Sequence, residues 1–296
     1  MRPRLFFVLI MLVVLVVAAA GPVSAEPRIV LVAGDIAKGT AASGEEQTAR
    51  LVERRKGLVM TVGDNAYEDG TLAEFYEHYE PTWGRFKNRT RPTLGNHDYY
   101  SPGAQGYFDY FGWRAGPRGR GYYSLKQGNW RIYALDSEVC ETDVGCGPGS
   151  PQYRWLKRKL AKHNAFCSMA VFHTPLFSSG MHGNEARVRP LVQLLYKAGA
   201  ELILNGHEHD YERFAPARPS GKTDRKKGVQ QIIVGTGGAP LRAKGPKRVA
   251  HSQVFSAEAW GVLKLGLRKR SYTWKFVPVE GETFTDKGER RCHGKP

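Results

Sequence analysis

The sequence predicts a mixed α/β fold of two packed β-sheets covered by helices. Three observations predict it. In the N-terminal half, apolar runs of strand length alternate with amphipathic stretches of helix length. The last third is strand-rich, with runs at 229–235, 261–267 and 271–278. No Pro/Ser-rich linker, internal repeat or low-complexity tract divides the chain, so one domain over 26–296 is expected.

Residues 28–34 read as a strand. Residues 43–56 read as a helix with Ser43 as its cap and Glu45-Glu46 in the first turn, where the helix dipole favours acidic groups. Residues 58–62 read as a strand. Residues 71–80 read as a helix, with Thr71 capping and Glu74 in the capping-box position. Residues 121–126 and 129–136 read as a hairpin across Gln127-Gly128. Residues 150–163 read as a helix opened by Ser150-Pro151, with proline at its first position. Residues 166–172 and 201–205 are strands flanking a helix near 187–198.

The chain opens Met1-Arg2-Pro3-Arg4, runs uncharged from Leu5 to Ala20, and continues Gly21-Pro22-Val23-Ser24-Ala25. A basic start, apolar middle and small-residue end mark a secretory signal peptide over 1–25. A retained membrane anchor is the alternative, although this apolar run falls short of the ~20 residues that span a bilayer. No cysteine sits near the cleavage site, which argues against a lipoprotein. The expected location is secreted or otherwise extracytoplasmic, with no later segment apolar enough to span. Four cysteines in an exported chain favour disulfides over a thiolate metal site or free buried thiols. Cys140 and Cys146 bracket a short Gly-containing loop and form the natural local pair, which leaves Cys167 with Cys292. Sequence alone leaves all three pairings of four cysteines open.

The net charge is +16, but the basic residues are dispersed, densest at Lys222–Lys227 and Arg268–Arg270. No nucleic-acid-binding motif accompanies them, so no specific nucleic-acid partner is expected. Such a surface would steer phosphate-bearing substrates, which is an effect on rate.

The chemistry concentrates at the ends of the apolar runs. Leu202-Ile203-Leu204 leads into Asn205-Gly206-His207-Glu208-His209. A strand puts residues i and i+2 on one face, and glycine allows a sharp turn, so two imidazoles can converge there. Other runs lead into Gly34-Asp35, Gly63-Asp64-Asn65-Ala66-Tyr67, Gly95-Asn96-His97-Asp98 and His173-Thr174-Pro175. One Asp after Gly reads as a turn or cap. The recurrence of potential ligands at strand ends points instead to a binding site at the carboxyl edge of a sheet.

Asp35, Gly63-Asp64-x-x-Tyr67, Gly95-Asn96-His97-Asp98, His173 and Gly206-His207-x-His209 together resemble the calcineurin-like metallophosphoesterases. Tyr67 narrows the resemblance to the branch similar to purple acid phosphatases. Ala37 fits that branch, since it stands where many members carry the histidine of Asp-x-His. The motifs run from residue 35 to 213, and the C-terminal third carries none. The resemblance implies a four-layer α/β/β/α sandwich holding two metal ions about 3.5–4 Å apart. It implies Asp35, Asp64, Tyr67 and His209 on the first metal, and Asp64, Asn96, His173 and His207 on the second, with Asp64 bridging. Hard oxygen donors including a phenolate suit iron at the Tyr67 site, and the second site suits Zn, Mn or Fe.

The resemblance further implies attack by a metal-bound hydroxide. His97 is then the proton donor or leaving-group stabiliser, held by a carboxylate: Asp98, Asp64 or another. His182 resembles the substrate-facing histidine of purple acid phosphatases. The expected function is an exported, acid phosphatase-like hydrolase of small-molecule phosphomonoesters. A phosphodiesterase acting on nucleotides or lipids, and a non-catalytic surface binding protein that keeps the metal fold, are the alternatives. Arg213 reads as a structural ion pair with Glu212 or Asp210, though its fork of donors suits phosphate. Gly235–Ala239 lacks the lysine of a P-loop and reads as a tight turn near the site. Oligomeric state is left open.

Overall fold

A computed structural model describes residues 26–294, so the signal segment expected at 1–25 lies outside the described residues. The first half contains β1 (Arg28–Ala33), α1 (Glu45–Glu53), β2 (Leu58–Thr61), α2 (Leu72–Glu74), β3 (Thr90–Arg91), α3 (Asn96–Tyr100) and α4 (Gln105–Phe111). Then come β4 (Tyr123–Gln127), β5 (Trp130–Ala134), α5 (Pro151–Lys162), β6 (Cys167–Val171), α6 (Arg189–Lys197) and β7 (Leu202–Asn205). The remainder is β8 (Tyr211–Phe214), β9 (Gln230–Val234), β10 (Ser252–Ser256), β11 (Gly261–Leu267), β12 (Ser271–Pro278) and β13 (Lys287–Arg291).

Among the described residues these strands form a six-stranded sheet, ordered β13-β12-β11-β1-β2-β3, and a seven-stranded sheet, ordered β10-β8-β9-β7-β6-β5-β4. Each contains a parallel run: β1, β2 and β3 in one, β5, β6, β7 and β9 in the other. The period-two alternation of strand side chains sorts the core into three apolar layers. Val30, Val32, Met169, Val171, Leu202 and Leu204 meet between the sheets. Leu31, Ala33 and Val59 face outward against Ala49 and Val52 of α1. Ala170, Phe172 and Ile203 face outward on the other side, against Leu156 and Leu160 of α5 and Leu191 and Leu195 of α6. Each fully buried Leu or Ile contributes about 1.5–3 kcal/mol by leaving water. Three apolar layers between four layers of structure are the α/β/β/α sandwich expected from the resemblance.

Several elements differ from expectation for physical reasons. Gly44, not Ser43, stands at the N-cap of α1. Ser43 is occupied by the preceding turn, its hydroxyl accepting from the Thr40 N–H at 3.0 Å and donating to the Thr40 carbonyl. The capping box at Thr71 and Glu74 is present, but the helix passes into a π-turn over Phe75–Tyr79 that keeps both rings against Tyr110 and Phe111. The hairpin turn is Gly128-Asn129, because Gln127 pairs with Trp130. The run at 90–94 pairs as a strand only over Thr90–Arg91. Pro92 lacks an N–H, and Thr93 ties to β2 through its hydroxyl, which donates to the Thr61 carbonyl at 2.8 Å.

Both disulfides join the cysteines paired in the sequence reading, Cys140–Cys146 and Cys167–Cys292. The second closes a span of 125 residues and fastens the end of the chain to the start of β6. Both fit an oxidising compartment.

Candidate active site

The carboxyl ends of the parallel strands of both sheets face one another and deliver the expected side chains to one place. Asp35 and Asp64 follow β1 and β2, His173 follows β6, and His207 and His209 follow β7. Asn96 does not end a strand; it opens α3, behind Gly95. The histidine pair sits on the loop between β7 and β8, not on a strand face. The sharp turn there belongs to His207, whose φ is 73°, and not to Gly206. Gly206 is required for space: a Cβ there would lie 2.5 Å from Asp35 Oδ2. Asp35 and Asp64 also hold left-handed backbone, with φ of 57° and 50°. Non-glycine residues in this region cost of order 1–3 kcal/mol and gather at functional sites.

The side chains form two groups that share one carboxylate. Asp35 Oδ1 lies 3.2 Å from Tyr67 Oη and 3.4 Å from His209 Nε2, and Tyr67 Oη lies 3.3 Å from His209 Nε2. In the second group, Asn96 Oδ1 is 3.1 Å from both His173 Nε2 and His207 Nδ1, and these two nitrogens are 3.3 Å apart. Asp64 Oδ2 is 3.2 Å from Tyr67 Oη in the first group and 3.2 Å from His173 Nε2 in the second. Asp35, Asp64 and His173 each aim one ligand atom at a common point. All three are fully or almost fully buried.

The groups fit cations. His173 Nδ1 donates to the Val62 carbonyl at 2.8 Å, and His209 Nδ1 donates to the Pro240 carbonyl at 2.8 Å. With those protons committed, each neutral ring presents the Nε2 lone pair to the cluster, as metal-ligating imidazoles do. Lone pairs of Nε2, Asn96 Oδ1 and Asp64 Oδ2 then face one another, an arrangement that a shared cation stabilises. Without one the charge falls on a proton. Burial opposes it, but Asp64 and Asp35 raise the His173 pKa well above the ordinary value. Burial and the charged His173 lower that of His207 to about 4. Burial, Asp35 and Asp64 also push the Tyr67 phenol well up. A cation beside Tyr67 would invert that balance.

His97 lies at the rim, its Nδ1 donating to the Glu68 carbonyl at 2.6 Å and its Nε2 4.0 Å from Asp64 Oδ2. Of the carboxylates expected to orient this ring, those of Glu68 and Asp64 lie 3.9 and 4.0 Å from it, while the short contact is to the Glu68 carbonyl. Asp98 turns inward and accepts from the N–H groups of Asn65 (3.2 Å) and Gly95 (2.9 Å) and from Asn65 Nδ2 (2.9 Å). Burial and Asp64 push its carboxyl up to about 8 against those donors. Asp98 ties the α3 turn to the Asp64 loop and does not contact the His97 ring. His182 lies above His207, ring centroids 4.4 Å apart, with Nδ1 3.1 Å from Glu208 Oε2.

Three residues escaped the sequence reading. Glu208 is buried beneath His182. Arg242 Nη1 is 3.3 Å from His182 Nε2, held in place because the Arg242 N–H donates to the His209 carbonyl at 3.0 Å. Lys38 lies 5.4 Å from the Tyr67 ring and pairs with Glu68. Lys38, Arg242, Tyr67, His97 and His209 line one small hollow. Glu208 was findable as the carboxylate inside His-Glu-His. Arg242 carries no local signal. Arg213 pairs with neither Glu212 nor Asp210 but with Asp286, Nε to Oδ2 at 2.6 Å and Nη2 to Oδ1 at 3.1 Å. The Gly235–Ala239 turn packs against the Asp35 loop, Ala239 N–H donating to the Asp35 carbonyl at 2.9 Å.

The family described as calcineurin-like phosphoesterase matches residues 17–211. Purple acid phosphatase 15 of Arabidopsis thaliana is 26% identical over 227 residues, covering 64% of this chain and 41% of that protein. Purple acid phosphatase 21 of the same plant is 27% identical over 248 residues, covering 75% and 54%. The chain thus spans about half the length of the curated relatives it matches. Among solved structures, purple acid phosphatase PPD1 from yellow lupin superposes with a TM-score of 0.74 at 19% identity, over 88% of this chain and 53% of that one.

Proposed function

This chain belongs to the calcineurin-like phosphoesterase family, and we propose on that footing that it is a dinuclear-metal hydrolase of small-molecule phosphomonoesters. The observation that carries the proposal is Asp64 Oδ2, equidistant at 3.2 Å from Tyr67 Oη and His173 Nε2. One carboxylate oxygen shared by two donor groups is what a bridged pair of cations requires. Asp35, Asp64, Tyr67 and His209 would hold one cation, and Asp64, Asn96, His173 and His207 the other. The phenolate and two carboxylates suit iron at the first site; Zn, Mn or Fe suits the second. Bound there, the pair would supply positive charge to the phosphate oxygens and an acidified water as nucleophile.

The chain's own residues complete the reaction. His97, fixed through Nδ1 by the Glu68 carbonyl, keeps Nε2 toward the site and, as the imidazolium, gives its Nε2 proton to the leaving alkoxide and is left neutral. His182 faces the substrate from its place above His207 and is steadied by Glu208. Asp98 positions the Asn96 turn and has no direct role in proton transfer. Arg242 and Lys38 add the cationic groups that a dianionic phosphate needs, and so favour monoesters over diesters. Export through residues 1–25 belongs to the same proposal.

Metal-loaded protein assayed on nitrophenyl phosphate and bis-nitrophenyl phosphate tests this. The monoester is the better substrate, Asp64→Asn abolishes turnover of both, and Arg242→Ala lowers kcat/KM at least tenfold for the monoester with a smaller loss for the diester. Near-normal turnover by Asp64→Asn contradicts the bridged site. A wild-type preference for the diester supports the nucleotide or lipid diesterase reading instead. No turnover of either ester with both metals verified supports a binding protein.

A further inference from the structure

We infer that the basic cleft at the end of the molecule opposite the histidine cluster docks anionic lipid headgroups, seating the protein on a membrane surface with its metal-ligand cluster facing away. The cleft comprises two adjoining hollows, about 1070 and 450 Å³, that share Asn129, Phe166, Lys269 and Arg270. Eight Lys or Arg side chains line them against two carboxylates, Glu26 and Glu289. Among the described residues, none of the eight lies within ion-pairing distance of a carboxylate. Eight cations against two carboxylates leave a net +6 at one end of a protein whose net charge is +16. Like charges held this close repel, and an anionic ligand relieves the repulsion.

The cleft is firmly built. Its prow is the turn Arg268–Arg270 between β11 and β12. The Arg268 N–H donates to the Ser271 carbonyl at 2.9 Å, and the Arg268 carbonyl accepts from Trp130 Nε1 at 2.8 Å. The Arg270 carbonyl accepts from the Cys292 N–H at 2.9 Å, and the Arg270 guanidinium lies 4.3 Å over the Phe166 ring. The Cys167–Cys292 disulfide fastens the floor beneath that turn. The backbone of the turn is thus fixed and the Arg270 guanidinium is held over a ring, and an arginine fork so held suits the bidentate recognition of phosphate.

Placement selects a membrane over a soluble anion. Glu26 lines the cleft, so residues 1–25 join the described chain at its rim. That segment carries the uncharged run Leu5–Ala20. A bilayer holding that run meets the basic end first, and when the run is removed the same face keeps its charge. β1 and β6 lead from the cleft to the opposite end, β1 from Arg28 toward Asp35 and β6 from Cys167 toward His173. Seven residues at ~3.3 Å each put the cleft about 23 Å from the candidate metal ligands. Docking therefore leaves the catalytic end open to solution, and the inference stands or falls separately from the proposed hydrolysis.

The test is co-sedimentation of the full chain with phosphatidylcholine vesicles, with and without phosphatidylglycerol, at low salt. Binding is stronger to the anionic vesicles, and each Lys or Arg near such a surface strengthens it about fivefold. Lys269→Ala/Arg270→Ala thus loses about 25-fold in partition. Lys244→Ala/Lys247→Ala, on the loop beside Ser179 at the catalytic end, binds as the wild type does. Unchanged turnover of nitrophenyl phosphate by the cleft variant shows that it folds. Equal binding to both vesicle types means that the apolar segment alone anchors the protein, and overturns the inference. Equal losses in both double variants mean diffuse charge, and also overturn it. Displacement from vesicles by a stoichiometric amount of inorganic tripolyphosphate reassigns the cleft to a soluble polyphosphate.

Discussion

Glu208 sits between His207 and His209, yet its carboxylate turns away from both donor groups. It accepts from the hydroxyl of Ser178 (2.9 Å), from the N–H groups of His182 (3.0 Å) and Gly183 (3.1 Å), and faces His182 Nδ1 at 3.1 Å. It therefore fixes the ring that we place against the substrate. Outer groups of this kind are worth about 10–100-fold in activity. Glu208→Gln should lower kcat within that range and leave bound metal unchanged. The double variant with His182→Ala should be no worse than His182→Ala alone, since both act through one ring. Additive losses in steady-state kinetics would show that Glu208 works by another route. At this scale five of the proposed metal ligands, Asp35, Asp64, Asn96, His173 and His207, were legible as candidates because each follows a glycine or an apolar run, and Tyr67 and His209 only through their spacing from Asp64 and His207. Asp98 was misread because adjacency to His97 says nothing of direction: one α3 position points inward and the next toward the rim. Arg242 was invisible because it reaches the site from a loop 33 positions beyond His209 in the sequence.

Strands rich in apolar residues were readable as short apolar runs: β1, β2, β6, β7, β9, β11 and β12. β8 and β13 were not, since Tyr211-Glu-Arg-Phe and Lys287-Gly-Glu-Arg-Arg carry charge where a buried strand normally carries none. β8 is possible because its charge is paired in the fold. Asp286 accepts from Arg213 Nε and Nη2, from the Tyr211 hydroxyl at 2.7 Å and from Trp274 Nε1 at 3.0 Å. Burial raises the Asp286 pKa, but these donors, Arg213 first, outweigh it and hold the carboxyl below its ordinary value. A depressed folded-state pKa stabilises above the unfolded value, about 3.9 for Asp, and that stability is lost as pH falls through the folded value. Thermal melts should show Asp286→Asn less stable than the wild type near neutrality, with the gap narrowing below about pH 4. A gap that stays constant across this range contradicts the linkage.

The molecule as a whole has two chemically distinct ends joined by the parallel strands. Their carboxyl edges gather the donor groups, and their amino edges open onto the basic cleft. The long disulfide ties the C-terminal strands, which carry no motif, to the sheet that carries His173 and the histidine pair. By the chain-entropy account a closed loop of this order is worth about 5 kcal/mol. The four-layer architecture came from the resemblance, whereas the residues themselves predicted only two sheets and covering helices. What no local pattern could give was the meeting of the two sheets' edges, since Asp64 and His173 stand on different sheets and touch only when the sandwich closes. The central claim, a bridged pair of cations with Tyr67 on one of them, is tested most directly by metal analysis of the purified protein together with its visible spectrum. The account predicts two metal equivalents per chain including iron, and a violet or pink absorbance that disappears in Tyr67→Phe. A protein with full iron occupancy and no visible band, or one that binds a single equivalent, would contradict it.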